Sequence, residues 1–132
     1  MNAIRVVAAL IIQDGRLLIC QRKSGPFAAK WEFPGGKVEA GEAVDRALFR
    51  ELKEELDIDV SAAREVFRSR HRYSGGRELD LMFFRVDEYC GAIRNRIFQD
   101  VRWVETAELK NFDFLDGDRA LLDKLSAEGL PE

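Results

Sequence analysis

The run from Gly36 to Ile58 constrains the fold more than any other part of the chain. Residues 43–56 are dominated by Ala, Leu, Arg, Glu and Lys, all good helix formers. Leu48, Leu52 and Leu56 recur at i, i+4 and i+8, so one stripe of this helix has to be covered by other parts of the protein. Glu51, Glu54 and Glu55 fall at i, i+3 and i+4 and share a neighbouring face. With Glu39 and Glu42 they put five carboxylates within seventeen residues. An ordered helix held down by leucines and crowded with like charge calls for something to neutralise it. A hard divalent cation is the natural candidate, because it takes oxygen ligands in near-octahedral geometry and bridges to phosphates.

The flanking sequence says what this helix packs against. Residues 2–12 read as a strand and not as a cleavable leader. Ile4 to Ile12 is β-branched and apolar with little alternation, which fits a strand buried on both faces. Asp14-Gly15 is a hairpin signal, and Arg16 to Gln21 is the returning strand. A polar connection, Arg22 to Lys30, leads to a short aromatic strand, Trp31-Glu32-Phe33. Pro34-Gly35-Gly36 then breaks regular structure and lets the backbone approach a ligand closely. Ile58 to His71 and Glu78 to Asp87 read as two strands joined by a turn at Tyr73-Ser74-Gly75-Gly76, and Val101 to Val104 as another. Asp116 to Leu125 reads as a closing helix with Leu121, Leu122 and Leu125 inward. Strands mixed with helices over 132 residues predict a single α/β domain spanning 1–132, a sheet covered by helices.

Composition narrows the function classes. A net charge of −3 argues against a whole-surface nucleic-acid binder but leaves room for a local basic pocket. Cys20 and Cys90 are seventy residues apart and read as reduced thiols. The single histidine, His71, excludes a multi-histidine zinc site. No window approaches the roughly 18 apolar residues of a membrane span. The expectation is a soluble cytoplasmic protein, monomer or homodimer, with no membrane or nucleic-acid partner.

The spacing of the acidic segment resembles the Nudix box, G-x5-E-x7-R-E-U-x-E-E-x-G-U with U aliphatic. Gly36, Glu42, Arg50, Glu51, Leu52, Glu54, Glu55 and Ile58 match, and Asp57 replaces the box glycine. That glycine ends the helix with positive φ, a conformation Asp tolerates better than most residues. The resemblance implies an α/β/α sandwich with a mixed sheet. It also implies Mg²⁺- or Mn²⁺-dependent hydrolysis of a nucleoside diphosphate linked to another group. Glu51, Glu54 and Glu55 then correspond to the metal ligands, joined by the Gly36 carbonyl. Arg50 and Glu42 correspond to supporting positions, with Arg50 placed to orient Glu54.

Residues 6–9, 18–22, 31–37 and 71–73 resemble the MutT-like branch, which converts nucleoside triphosphates to monophosphate and pyrophosphate. On that resemblance Arg22, Phe33 and Asp118 are the substrate-binding candidates. Some members act on oxidised purine nucleotides such as 8-oxo-dGTP. Relatives that carry Asp at the position of Asp118 prefer CTP, dCTP or modified pyrimidine nucleotides. A weakly catalytic nucleotide-binding sensor is a third reading. The branch carries a glutamate at the position of Ile97, and Asp100 or Glu39 is the candidate acidic replacement.

Overall fold

The computed structural model describes residues 3–132, so Asn2, at the start of the expected first strand, lies outside the described residues. The chain runs β1 (Ile4–Leu10), β2 (Ile12–Gln13), β3 (Arg16–Gln21), β4 (Trp31–Glu32), β5 (Gly35–Lys37), α1 (Val44–Leu56), β6 (Asp59–Arg72), β7 (Glu78–Cys90), β8 (Asp100–Val104) and α2 (Arg119–Glu128). Two 3-10 turns, Thr106–Asn111 and Asp116–Asp118, precede α2.

Four strands form a mixed sheet in the order β5-β1-β7-β6. β1 and β7 are parallel, while β5 and β6 are antiparallel to their neighbours. β3 centres a second, antiparallel sheet, with β2 and β4 on one side and β8 on the other. Along β1 and β7, successive side chains alternate between two cores. Val7, Ala9, Met82, Phe84 and Val86 join Leu48, Leu52 and Leu56 of α1. Val6, Ala8, Leu81 and Phe83 join Leu121 and Leu125 of α2. The two helices therefore cover opposite faces, which makes the architecture an α/β/α sandwich. It also explains the apolar run Val6–Leu10 in β1, whose two faces both meet a core.

Several boundaries differ from the sequence-based expectation. The first strand ends at Leu10, and Ile12–Gln13 crosses into the second sheet to make the hairpin at Asp14-Gly15. Gly35 and Gly36 do not interrupt the sheet but form its edge strand on β1. A side chain at Gly35 would collide with the Val7 carbonyl, so glycine is what permits this pairing. The hairpin of β6 and β7 is longer than expected, reaching Arg72 and Cys90, and register shifts bend β6 between Val60 and Phe67. The closing helix starts at Arg119, because 116–118 is a 3-10 turn. Leu121 and Leu125 are buried while Leu122 is only half-buried. Both cysteines are free, Cys20 inside and Cys90 exposed. No helix among the described residues is long and apolar enough to cross a membrane.

Candidate functional site

A cleft of about 650 Å³ opens between the β5–α1 corner and the segment leading into α2. Arg22, Phe33, Gly36, Glu51, Glu55 and Asp118 all line it. Six of the eight residues singled out from the sequence are thus brought together from the end of β3, the β4–β5 link, β5, α1 and the turn before α2. The other two, Arg50 and Glu54, do not line it.

At one end, the helix rotation separates the three glutamates. Glu55 lies seven residues after Leu48 and returns to within about 20° of its direction. It is therefore buried with the leucine stripe, at 8% exposure. Its Oε1 accepts a hydrogen bond from the Gly35 N–H at 3.1 Å. Burial, reinforced by Glu51 and Glu32, pushes its carboxyl well above the usual range. The Glu51 carboxylate lies against Gly36, where any side chain would collide with it. Glu54 points outward instead, its side chain 58% exposed. Among the described residues no three carboxylate, imidazole or thiol groups form a ready-made metal cage.

Arg50 organises this corner. Its Nε and Nη2 donate to the two Glu42 oxygens at 2.9 Å each, Nη1 donates to Glu51 at 2.9 Å, and Nη2 also reaches the Lys37 carbonyl at 3.1 Å. Glu39 lies at 3.2 Å and Glu54 at 3.6 Å. The expected partnership with Glu54 is thus the weakest of the set, and Glu42 and Glu51 hold the guanidinium. These hydrogen bonds, with one from the Glu39 N–H, keep the Glu42 carboxyl down at about 2. The Lys37 carbonyl and Gly36 lie against the helix that carries Glu51, so β5 and α1 are held together.

At the other end, Phe33 packs at 5.4 Å from Phe114 and 6.3 Å from Phe83, and one side of it faces the cleft. Backbone bonds between Trp31 and residues 113 and 115 tether the following turn to β4. That tether carries Asp118 into the cleft wall at 7% exposure. Asp118 occupies the N-cap of α2 but makes no capping bond, and its Oδ2 is buried without a partner. Burial, with Glu32 nearby, pushes its carboxyl well above the usual range. Arg22 donates to Glu32 at 3.0 Å and leaves its own Nε buried and unpartnered.

Glu32 was not picked out from the sequence. It lines the cleft, burial raises its pKa against the opposing pull of Arg22, and it lies within electrostatic reach of both Glu55 and Asp118. The available signal was a lone charge between two aromatic residues in a short strand. Ile97 sits on the cleft rim, 49% exposed. Neither acidic replacement lines the cleft: Asp100 pairs with Arg102 at 2.9 Å, and Glu39 is engaged with Arg50. The cleft thus joins an acidic corner suited to cations and phosphate with an aromatic pocket holding one unspent carboxyl.

The chain is similar to known proteins in both sequence and fold. The CTP pyrophosphohydrolase of Escherichia coli is 36% identical over 128 residues, covering 96% of this chain and 94% of the relative. The 8-oxo-dGTP diphosphatase of Haemophilus influenzae is 35% identical over 127 residues, covering 95% and 93%. The crystal structure of the MutT NUDIX hydrolase from Burkholderia pseudomallei superposes with a TM-score of 0.85 at 27% identity, covering 95% of this chain and 99% of that one. The NUDIX domain model matches residues 1–125, and with these relatives it establishes that the chain belongs to the Nudix family.

Proposed function

We propose that the protein hydrolyses nucleoside triphosphates to a monophosphate and pyrophosphate, with Mg²⁺ or Mn²⁺ as cofactor. The observation that carries this reading is a single cleft with the crowded Glu51 and Glu55 carboxylates at one end and an aromatic pocket with an unpartnered carboxyl at the other. The names of the relatives support it, as does the general use of divalent cations by Nudix hydrolases.

The donor set fits such a cation. Buried Glu55 and half-buried Glu51 are crowded together, and the Gly36 backbone lies against Glu51. Glu54 would complete the set by a side-chain rotation of an exposed residue. Bound there, the ion supplies charge neutralisation and polarisation of a phosphoryl oxygen. Arg50 fixes the Glu51 carboxylate from behind, so ligand geometry does not depend on the substrate. Arg22 presents a cation beside the pocket, and Phe33 offers an apolar wall to a base. Water is split across the bridge between the α- and β-phosphorus atoms, its oxygen bonding to phosphorus as the bridging P–O bond breaks.

The leading substrate class is an oxidised purine nucleotide such as 8-oxo-dGTP. A second reading, CTP or dCTP, is favoured by Asp118. A carboxyl that keeps its proton presents one donor and one acceptor. That pair matches cytosine, where the O–H donates to N3 and the C=O accepts from N4. The test is pyrophosphate release across oxidised and ordinary nucleotides with Mg²⁺, comparing wild type with Glu54→Gln and Glu51→Gln. Turnover by wild type alone is expected. No turnover above the variants would defeat the enzymatic reading and leave a nucleotide-binding sensor. CTP outpacing 8-oxo-dGTP would replace the purine reading with the pyrimidine one.

A further inference from the structure

Tyr73 stands where the β6–β7 turn meets the segment leading into α2. Its ring packs on Phe27 of the β3–β4 connection, centroids 4.8 Å apart, and on His71 at 4.4 Å. Its hydroxyl oxygen accepts a hydrogen bond from the Gly117 N–H at 3.0 Å. Gly117 immediately precedes Asp118. A methyl group added to Gly117 would lie 3.2 Å from the Tyr73 hydroxyl and 3.2 Å from Leu81 Cδ1. Both contacts are tighter than ordinary packing allows, so this glycine matches a neighbouring tyrosine and not a turn conformation.

Other bonds also hold the turn at 116–118, among them the Arg119 N–H to the Asp116 carbonyl and an exposed Arg119–Asp116 ion pair at 3.7 Å. Leu115 N–H bonds the Trp31 carbonyl and Asp118 N–H bonds the Leu115 carbonyl. Both are backbone contacts that survive any substitution short of proline. The Tyr73 hydroxyl is the tether on Gly117, and it comes from a side chain. The carboxyl it helps to aim has no capping bond, and its Oδ2 has no partner of its own.

We propose that Tyr73 is a specificity-positioning residue: through its hydroxyl on the Gly117 N–H it fixes the turn that aims the Asp118 carboxyl at the nucleobase, with Phe27 bracing its ring. The inference rests on Asp118 being the base-contacting group in the reading above. Tyr73 acts on the choice of base and not on the phosphate chemistry at Glu51 and Glu55, at the opposite end of the cleft.

Tyr73→Phe removes the hydroxyl and keeps the ring contacts. The measurements are calorimetric affinities for CMP and 8-oxo-dGMP, which need no turnover, and kcat and KM for pyrophosphate release from the triphosphates. The expected result is a change of about five-fold in the ratio of the two affinities, the size of one lost hydrogen bond. KM should move with it while kcat stays within about two-fold. In an Asp118→Asn background the same substitution should leave the ratio unchanged. Gly117→Ala should disturb the ratio in wild type and less so in Tyr73→Phe, where the oxygen 3.2 Å away is gone. Phe27→Leu, which keeps the hydroxyl and loosens its brace, should shift the ratio in the same direction by less.

An unchanged ratio in Tyr73→Phe overturns the proposal. So does an equal shift with and without Asp118, or an Asp118→Asn protein with wild-type base preference. Absence of pyrophosphate release from every nucleotide would sink the enzymatic reading alone, since the monophosphate affinities still test Tyr73.

Discussion

Asp118 and Arg50 show how differently charge is managed at two ends of one cleft. Asp118 is buried, and its folded-state carboxyl is raised above its ordinary value of 3.8. Folding therefore favours the protonated form. Below pH 3.8 the group costs nothing, because folded and unfolded chains both carry the proton. As pH climbs from there to the raised folded value, the unfolded chain releases its proton first and stability is lost. Asp118→Asn removes this dependence, so the melting temperature of the variant relative to wild type should rise between pH 4 and pH 8. A difference that stays flat, or falls, contradicts the burial argument. Arg50 works the other way, spreading one guanidinium over Glu42, Glu51 and the Lys37 carbonyl. Lysine has no planar fork to span them, so Arg50→Lys should lower kcat/KM about 10–100-fold. A steady-state assay returning wild-type values would show that Arg50 is dispensable to ligand geometry.

The α1 element combines stability and function on one helix. Leu48, Leu52 and Leu56 are fully buried, and Leu52→Ala should cost about 2–5 kcal/mol in chemical denaturation. At its end, Asp57 takes φ 60 and ψ 34, the left-handed conformation expected where the box has glycine. Asp57→Gly should relieve that strain and raise unfolding free energy by on the order of 0.5 kcal/mol, after losing its exposed contacts to Lys53 and Arg96. Pyrophosphate release should be unaltered, and a loss of stability would mean the contacts outweigh the strain. Most of this element was legible in advance, because period and spacing are local properties. The division of labour among its glutamates was not, since it depends on the sheet that receives the leucines. That sheet buries Glu55, leaves Glu54 to solvent, and puts Gly36 under Glu51.

For the whole molecule, cation binding and stability are linked. An ion that binds only the folded state adds about 2.7 kcal/mol at a hundred-fold excess over its dissociation constant. Mg²⁺ or Mn²⁺ should therefore raise the melting temperature of wild type, and a chelator should reverse it. In Glu55→Gln the shift should shrink or vanish, and an undiminished shift would place the cation elsewhere. The relation between the two cores made this arrangement possible. β1 and β7 bury both faces, so α1 and α2 approach from opposite sides, and Val6 to Ala8 of β1 with Leu81 and Phe83 of β7 line the cleft.

By itself, the sequence determined a helix over residues 43–56, one residue longer than the observed Val44–Leu56, with its buried leucine stripe and the spacing of its carboxylates, while the left-handed cap at Asp57 came from the resemblance to the box. The helix, stripe and spacing follow from neighbours within two turns of chain. Only the tertiary structure decided that Gly35 and Gly36 form an edge strand, that Glu32 joins the cleft, and that Tyr73 meets Gly117. These contacts join residues 20 to 44 positions apart or lie on different strands, and their energies depend on burial and close approach that no local pattern encodes.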